Sequence, residues 1–294
     1  MCVRRHQNFD KLGIISLSSN KLLTPIGSIA VFLWVAIVSS KLIDDIIIGQ
    51  SAPAKELKKL IKVVAEAPTS VLVLGETGTG KELVARAIHA ASRRSGRLVS
   101  VNCAAIPSEL LESEIFGHEK GAFTGASTAN KGIFRAADGG TLLLDEISEM
   151  PMALQAKLLR FLEDGSFTRV GGNEEKRVHV RIIAATNRDI VQAIKENDFR
   201  EDLYHRLNVM QFRPPPLRDR GRDVVTLAEH FLVQNCQKLG RAPLKLSTAA
   251  EQKLLAHQWP GNVRELENLV QGAIRAAGWG SVSDLQHGRS CDHT

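Results

Sequence analysis

Val71-Leu72-Val73-Leu74-Gly75-Glu76-Thr77-Gly78-Thr79-Gly80-Lys81-Glu82 is the stretch on which the fold turns. Its first four residues form a short apolar run of the kind that makes a strand buried on both faces. A Gly-rich turn follows, and Glu82 to Ala91 then reads as a helix. Gly75 to Lys81 fits G-x-x-x-x-G-K, and a strand before it with a helix after it separates a phosphate-binding loop from an incidental turn. The chemistry requires this order. Glycines let successive backbone N–H groups curl around phosphate oxygens. The helix N-terminus adds unpaired N–H groups and partial positive charge. Lys81 can reach the β- and γ-phosphates as a flexible cation. One position departs from the pattern: the usual next residue is Ser or Thr, whose hydroxyl contacts Mg²⁺, and here it is Glu82. A carboxylate would repel the phosphates, so Glu82 is expected to turn away and the metal to rely on another acid.

Gly139-Gly140-Thr141-Leu142-Leu143-Leu144-Asp145-Glu146 supplies that acid. An apolar strand ends in two adjacent carboxylates, and ligands of open α/β sheets bind beyond the carboxyl ends of strands. Beside a phosphate loop this is a Walker B pattern. Asp145 is expected to hold Mg²⁺, directly or through water, and Glu146 to polarise the attacking water as general base. Read alone, the pair fits equally well an acidic helix N-terminus after a core strand.

Further buried strands are expected at Leu98 to Val101, Thr141 to Leu144, Val180 to Ala185 and Val209 to Phe212, with helical patterns between them. Alternating strand and helix argues for a parallel sheet covered on both faces. Pro214-Pro215-Pro216 ends this region, and two or three helices follow without a strand, at about Asp223 to Leu239, Ser247 to His257 and Asn262 to Ala277. The expected fold is α/β: a P-loop NTPase with a five-stranded parallel sheet between helices over 46–216, then a small all-helical domain over 217–278. Residues 279–294 read as a short irregular tail, with no room for a helix-turn-helix.

The leader, residues 1–45, has a different texture. Leu22 to Ser40 carries no charge, close to the ~20 apolar residues of a membrane span. Pro25 and Gly27 interrupt it, and basic residues precede it, so the positive-inside rule would export everything downstream, away from any nucleotide. A leader packed on the protein, or a non-native start, is the expectation; membrane contact and a signal peptide are not. The four cysteines are scattered and form no C-x-x-C pair, which suggests no disulfide framework or zinc site and points to a reducing cytoplasm. The net charge of +6 does not distinguish solvated Lys and Arg from a phosphate- or nucleic-acid-binding surface.

Phe116-Gly117-His118-Glu119-Lys120-Gly121-Ala122-Phe123-Thr124-Gly125-Ala126 has a separate message. Glycines bracket a lone aromatic among small residues, so the segment cannot build a core and is expected to be mobile. Composition alone favours a Gly-rich connection with a buried Phe. Gly121, Ala122, Phe123, Thr124, Gly125 and Ala126 are, however, identical to the GAFTGA signature of the sigma-54-dependent transcriptional activators, the bacterial enhancer-binding AAA+ ATPases. Gly75, Glu76, Thr77, Gly78, Thr79, Gly80, Lys81 and Glu82 resemble that family's phosphate loop, Glu included. Trp259-Pro260-Gly261-Asn262-Val263-Arg264-Glu265-Leu266-Glu267-Asn268 resembles its lid signature. The resemblance runs from about Ile46 to about Ala277.

The resemblance implies an ATPase that uses ATP and Mg²⁺ to remodel sigma-54 RNA polymerase. It implies that the GAFTGA loop rises on nucleotide binding to touch sigma-54, with Phe123 and Thr124 as contacts and a second pore loop near Arg169-Val170-Gly171-Gly172. It makes Asn102 the asparagine that hydrogen-bonds Glu146, Thr186 and Asn187 the sensor I position, and Arg264 sensor II. Arg200 and Arg206 become arginine fingers acting on a neighbouring subunit's ATP, which implies a hexameric or heptameric ring. Without the resemblance, Asn102 reads equally as a strand cap, and the two arginines as surface salt bridges to Glu201 or Asp202. Family members commonly carry a DNA-binding helix-turn-helix. None is visible here, so the chain reads as a truncated fragment, or one whose targeting comes from elsewhere. Two other functions stay open, another AAA+ remodelling ATPase and a truncated nucleotide-binding remnant. The hexapeptide speaks against the first; the full set of catalytic positions speaks against the second and the short tail for it.

Overall fold

Ser51 opens the first helix of the α/β region by accepting a hydrogen bond from Ala54 N (3.3 Å), with a proline in the first turn, a pairing that suits a helix start. This is the computed structural model of the chain, and it describes residues 41–242 and 244–276. The expectations for Leu22 to Ser40 and for 279–294 lie outside them. Helix α1 (Ala52–Ala65) leads to β1 (Val71–Leu74), the phosphate-loop segment and α2 (Lys81–Ala91). Then come β2 (Leu98–Asn102), α3 (Ser108–Phe116), α4 (Ile133–Ala136), β3 (Thr141–Asp145) and α5 (Met152–Asp164). A short hairpin, β4 (Ser166–Thr168) and β5 (Glu175–Arg177), precedes β6 (Arg181–Thr186), α6 (Ile190–Lys195), α7 (Glu201–Leu207) and β7 (Met210–Phe212).

Five strands form one sheet in the order β2-β3-β6-β1-β7, every neighbouring pair parallel. The strand alternation divides the core cleanly. Leu142, Leu144, Ile182 and Ala184 face α3, α5 and α7. Leu143, Ile183, Ala185, Val71 and Val73 face α1 and α2. All five expected strands are present. β2 and β3 each run one residue further than expected, which brings Asn102 and Asp145 into register as partners. The antiparallel β4–β5 hairpin was not expected, because Glu175-Lys176-Arg177 has no apolar alternation to betray a strand.

Arg181 is the largest of the fully buried side chains. It donates to Val64 O (2.7 Å), Ala65 O (3.2 Å) and Thr69 O (3.2 Å), closing the carbonyl end of α1 against the sheet. Burial pushes its pKa down to about 10.

After β7 a proline-rich link and a 3₁₀ turn (Leu217–Arg220) lead to α8 (Asp223–Lys238), α9 (Thr248–Ala256) and α10 (Asn262–Ala276), within about a residue of the expected helices. They share a core of Leu227, Leu232, Leu254, Trp259, Leu266 and Val270. Among the described residues no helix is long and apolar enough to cross a membrane.

Candidate active site and the projecting loop

The segment between β1 and α2 holds its shape through glycines in the left-handed region, Gly78 at φ 79° and Gly80 at φ 94°. A side chain on Gly78 would collide with the Gly261 carbonyl oxygen, so the close approach of the lid also demands glycine there. Thr79 Oγ1 donates to Glu76 O at 2.8 Å and braces the turn. Lys81, the first residue of α2, is buried; its Nζ lies 3.0 Å from Gly75 O and 3.7 Å from Glu146 Oε1. Glu82 turns away as expected and pairs with Arg86 at 2.7 Å across one helical turn.

The acid pair sits at the carboxyl end of β3. Glu146 has left-handed backbone angles, φ 51° and ψ 51°, an arrangement that costs a non-glycine residue about 1–3 kcal/mol. That twist re-aims the chain directly after the strand. Glu146 Oε2 accepts from Asn187 N (3.2 Å) and Thr186 Oγ1 (3.4 Å), and Asn187 Nδ2 donates to Thr77 Oγ1 (2.8 Å). Ser148 Oγ lies 2.9 Å from the buried Thr186 Oγ1. The ends of β1, β3 and β6 thus bring Thr77, Lys81, Glu146, Thr186 and Asn187 together. Burial first, then the Glu146 charge, pushes the Asp145 carboxyl above the ordinary aspartate value, and Lys81 offsets part of the rise. Burial and the same carboxylates push the thiol of neighbouring Cys103 up to about 12, which leaves it inert.

The expected bond from Asn102 to Glu146 is not made. Asn102 Oδ1 is taken by Ala104 N at 2.9 Å in a tight local turn, and the Glu146 carboxylate is held from β6 instead. Arg200 forks onto Asp202 at 2.7 and 3.0 Å, the pair that its own neighbourhood suggests. Arg206 donates to Leu162 O at 2.9 and 3.2 Å. Among the described residues neither arginine bonds to its own chain's phosphate-loop segment or acid pair.

The lid meets the loop directly. Arg264 is exposed and leaves α10 beside Gly78, its Cβ 3.1 Å from where a Gly78 side chain would begin. Glu76 forks with Arg218 at 2.5 and 2.9 Å and accepts from Asn262 Nδ2 at 3.1 Å. These bonds, Arg218's first, bring its pKa down to about 2. An apolar pocket adjoins Thr79 and Gly80, walled by Ile46, Ile48, Leu83, Val84, Pro215 and Val263. Its wall is fastened by Asp223 of α8, which accepts from Gln50 N (2.7 Å), Ser51 N (3.0 Å) and Ser51 Oγ (2.6 Å). Burial pushes the Asp223 carboxyl up, but the Ser51 and Gln50 hydrogen bonds and the Arg220 charge outweigh it and leave it below its ordinary value. Sequence reading missed this pocket and the roles of Arg218, Asn262 and Asp223. Asn262 lies inside the lid signature, but its partners are in segments distant in sequence and nothing local marks it.

The hexapeptide segment begins and ends on a pinch. Phe116 and Phe134 stack with centroids 5.0 Å apart, and Gly117 and Gly132 lie so close that a side chain on either would strike the other's backbone. Beyond the pinch, Gly121 N donates to Ala126 O (2.9 Å) and Ala126 N to Phe123 O (3.0 Å), with Gly121 and Gly125 left-handed. Phe123 is 37% exposed and meets His118 edge-on at 5.0 Å. His118 is itself fixed by Ser113 Oγ (2.6 Å) and Thr128 O (2.9 Å). The second loop joins in. Glu119 N donates to Val170 O (3.0 Å), Arg169 pairs with Glu119 (3.0 Å), and Gly171 abuts Ala122.

A parallel five-stranded sheet with a phosphate loop after β1, an acid pair after β3 and a helical lid on the loop defines an AAA+ P-loop NTPase fold. The chain belongs to the sigma-54 interaction domain family: the Sigma-54 interaction domain matches residues 47–213, and the AAA+ ATPase lid domain matches 218–287. It is 52% identical over 229 residues to Nitrogen fixation protein AnfA of Azotobacter vinelandii, covering 78% of this chain and 43% of that one. It is 51% identical over 238 residues to DNA-binding transcriptional regulator NtrC of Rhizobium meliloti, covering 79% and 49%. The chain thus spans less than half the length of these relatives. The crystal structure of NtrX from Brucella abortus in complex with ATP superposes with a TM-score of 0.74 at 39% identity, covering 82% of this chain and 55% of that one.

The Asp145 environment makes a stability prediction. Its folded pKa is raised, so its contribution favours folding below the ordinary aspartate range and is lost as pH rises through the folded pKa. Asp145→Asn should therefore melt at a higher temperature than the parent at neutral pH. The gap should shrink as pH falls into the acid range and the parent carboxyl protonates too. A lower melting temperature for the variant at neutral pH would contradict the proposed electrostatics.

Proposed function

We propose that the chain hydrolyses ATP and uses the cycle to drive its GAFTGA loop against sigma-54 RNA polymerase, activating transcription. One observation carries this reading: Lys81, Glu146, Thr186, Asn187 and Thr77 converge at the carboxyl ends of three adjacent strands, in a chain of the sigma-54 interaction family. The triphosphate lies along Gly75 to Lys81 with its terminal phosphate at Lys81, and the base enters the pocket walled by Ile46, Ile48 and Val263. Glu146 takes the proton of the attacking water; its carboxylate is aimed by Asn187 N and Thr186 Oγ1 rather than by Asn102. Asn187 also touches Thr77, so one residue contacts both the base and the loop. Arg264 reaches from the lid toward the phosphates.

The donor set suits Mg²⁺. This ion binds through one or two carboxylates together with substrate phosphates, and Asp145 presents a carboxylate next to the loop without a further acid cage among the described residues. Asp145 would hold it, and its chemistry would be to neutralise charge on the phosphate oxygens.

Arg206 is exposed and Arg200 half-buried, and neither bonds anything in its own chain's site, which suits fingers donated to a neighbour in a hexameric or heptameric ring. Phe123 supplies the apolar contact to sigma-54, since a half-exposed aromatic on a braced loop can anchor in a partner's pocket.

Glu146→Gln is expected to keep ATP binding and to slow hydrolysis by roughly 10²–10⁴-fold, while Lys81→Ala loses binding. Unchanged turnover in the Gln variant, in a single-turnover assay, removes Glu146 from its role. Phe123→Ala should retain ATPase activity and fail to form open complexes with purified sigma-54 polymerase; normal activation by this variant refutes the loop assignment. Specific ATPase activity should climb with protein concentration as the ring assembles. A flat profile down to concentrations where sedimentation shows monomer would sink action in trans.

A further inference from the structure

Asn262 opens α10 and is completely buried, with a left-handed φ of 53°. Asparagine tolerates that conformation better than other residues bearing side chains. Every polar atom of its amide is engaged. Nδ2 donates to Thr77 O (3.0 Å) and Glu76 Oε2 (3.1 Å), and Oδ1 accepts from Leu217 N (2.8 Å). The next residue continues the stitch, Val263 N donating to Gly78 O at 3.0 Å. Arg218, one residue past Leu217, holds Glu76 through two further bonds.

The peptide group is planar and trans, so a carbonyl and the N–H of the following residue point in opposite directions. Thr77 O is bound to the lid, so Gly78 N–H faces away from it. Gly78 O is bound to the lid, so Thr79 N–H faces away as well, and it turns inward toward Glu76 O at 3.4 Å. The lid therefore holds two successive peptide planes with their amides facing away from it: that of Gly78 is turned to the side on which a nest of N–H groups takes an anion, and that of Thr79 is lent to Glu76 O across the turn. No other residue type fills the position as well. Aspartate has no donor and would set its charge against Glu76 and the Thr77 carbonyl, and glycine keeps the backbone angle but none of the bonds.

We propose that Asn262 is a positioning residue that pre-orients the Thr77–Gly78 and Gly78–Thr79 peptides for the nucleotide's phosphates, with Arg218 and Glu76 as its buttress, so that nucleotide affinity depends on the lid's being seated. The proposal rests on the nucleotide-site reading above. By linkage the dependence is reciprocal: nucleotide tightens the lid, and a displaced lid loosens the nucleotide. The advantage of a held loop is that less ordering remains to be done on binding.

The test measures the affinity of mant-ADP by fluorescence titration for the parent, Lys81→Ala, Asn262→Gly, Asn262→Asp and Arg218→Ala, together with KM and kcat for ATP and the circular-dichroism melt. The parent should bind and Lys81→Ala should not; a parent that does not bind refutes the nucleotide-site reading itself. Asn262→Gly should bind about tenfold to a hundredfold more weakly, the equivalent of one or two hydrogen bonds. It should raise KM with a much smaller change in kcat and keep its helix content. Asn262→Asp should be weaker still. A folded Asn262→Gly that binds within twofold of the parent overturns the proposal. So does a fall in melting temperature with no change in affinity, the signature of a merely structural pin. If Asn262→Gly does not fold, the exposed Arg218→Ala decides: several-fold weaker binding supports the buttressed pin, and unchanged affinity overturns it.

Discussion

A loop that grips phosphate must keep its amide hydrogens free and its carbonyls occupied. Main-chain groups come in fixed pairs, so the second condition is how a fold enforces the first. Here the lid bonds the carbonyls of Thr77 and Gly78, Thr79 Oγ1 takes that of Glu76, and Lys81 Nζ takes that of Gly75. The glycines at 78 and 80 make the required twist possible, and the collision a Gly78 side chain would have with Gly261 shows that lid and loop were shaped against each other. On the proposed reading the lid is thus part of the phosphate site, and its own core, built around Trp259 and Leu266, holds the N-terminal turn of α10 at that place.

The acidic side of the site shows the opposite economy. Asp145 and Glu146 are adjacent carboxylates, one half-buried and raised in pKa by that burial first and then by its neighbour's charge. The fold tolerates the repulsion and a left-handed glutamate because β6 ends beside them, with Thr186 and Asn187 donating to one Glu146 oxygen and Lys81 approaching the other. Strain and like charge concentrated at one strand end, with donors arranged around it, is the pattern of a site kept ready for a cationic or proton-transferring partner.

How much of this could be read beforehand follows from how far each feature is local. The runs Val71 to Leu74, Leu142 to Leu144 and Ile182 to Ala185 are buried on both faces, so their apolarity alone betrayed parallel strands. The phosphate loop and the acid pair are contiguous in sequence and were legible as motifs. Glu82 could be sent outward on electrostatics, and Arg86 receives it. The β4–β5 hairpin was invisible because three charged residues carry one of its strands. Arg181 sits where apolar patterning expected the start of a plain core strand, and its partners are carbonyls more than a hundred residues away. The pocket joining Ile46 and Ile48 to Pro215 and Val263, and the Asn262 stitch, are assembled from segments that only the folded chain brings together. Asn102 was placed through the resemblance; its Oδ1 serves its own short turn to Ala104, and among the described residues its side chain makes no bond to Glu146.

The same locality governs how the site could speak to the hexapeptide. Asn102 pairs in register with Asp145, and Cys103 N donates to Asp145 O at 2.9 Å. A single turn leads from there into α3, which ends at Phe116, the base of the pinched loop. α3 is one short, well-packed helix whose Leu111 and Ile115 are fixed in the main core, so it transmits a tilt better than it absorbs one. Past the pinch the loop has internal ties, Gly121 to Ala126 and His118 against Phe123, and ties to the second loop, Glu119 to Val170 and Arg169. Those ties carry Phe123 as part of a braced unit that includes the second loop. A floppy loop could not push on another protein, since force applied at its base would be spent bending it. The braces around Phe123 are therefore what a loop needs if a small change beside Glu146 is to arrive at its far end as a displacement.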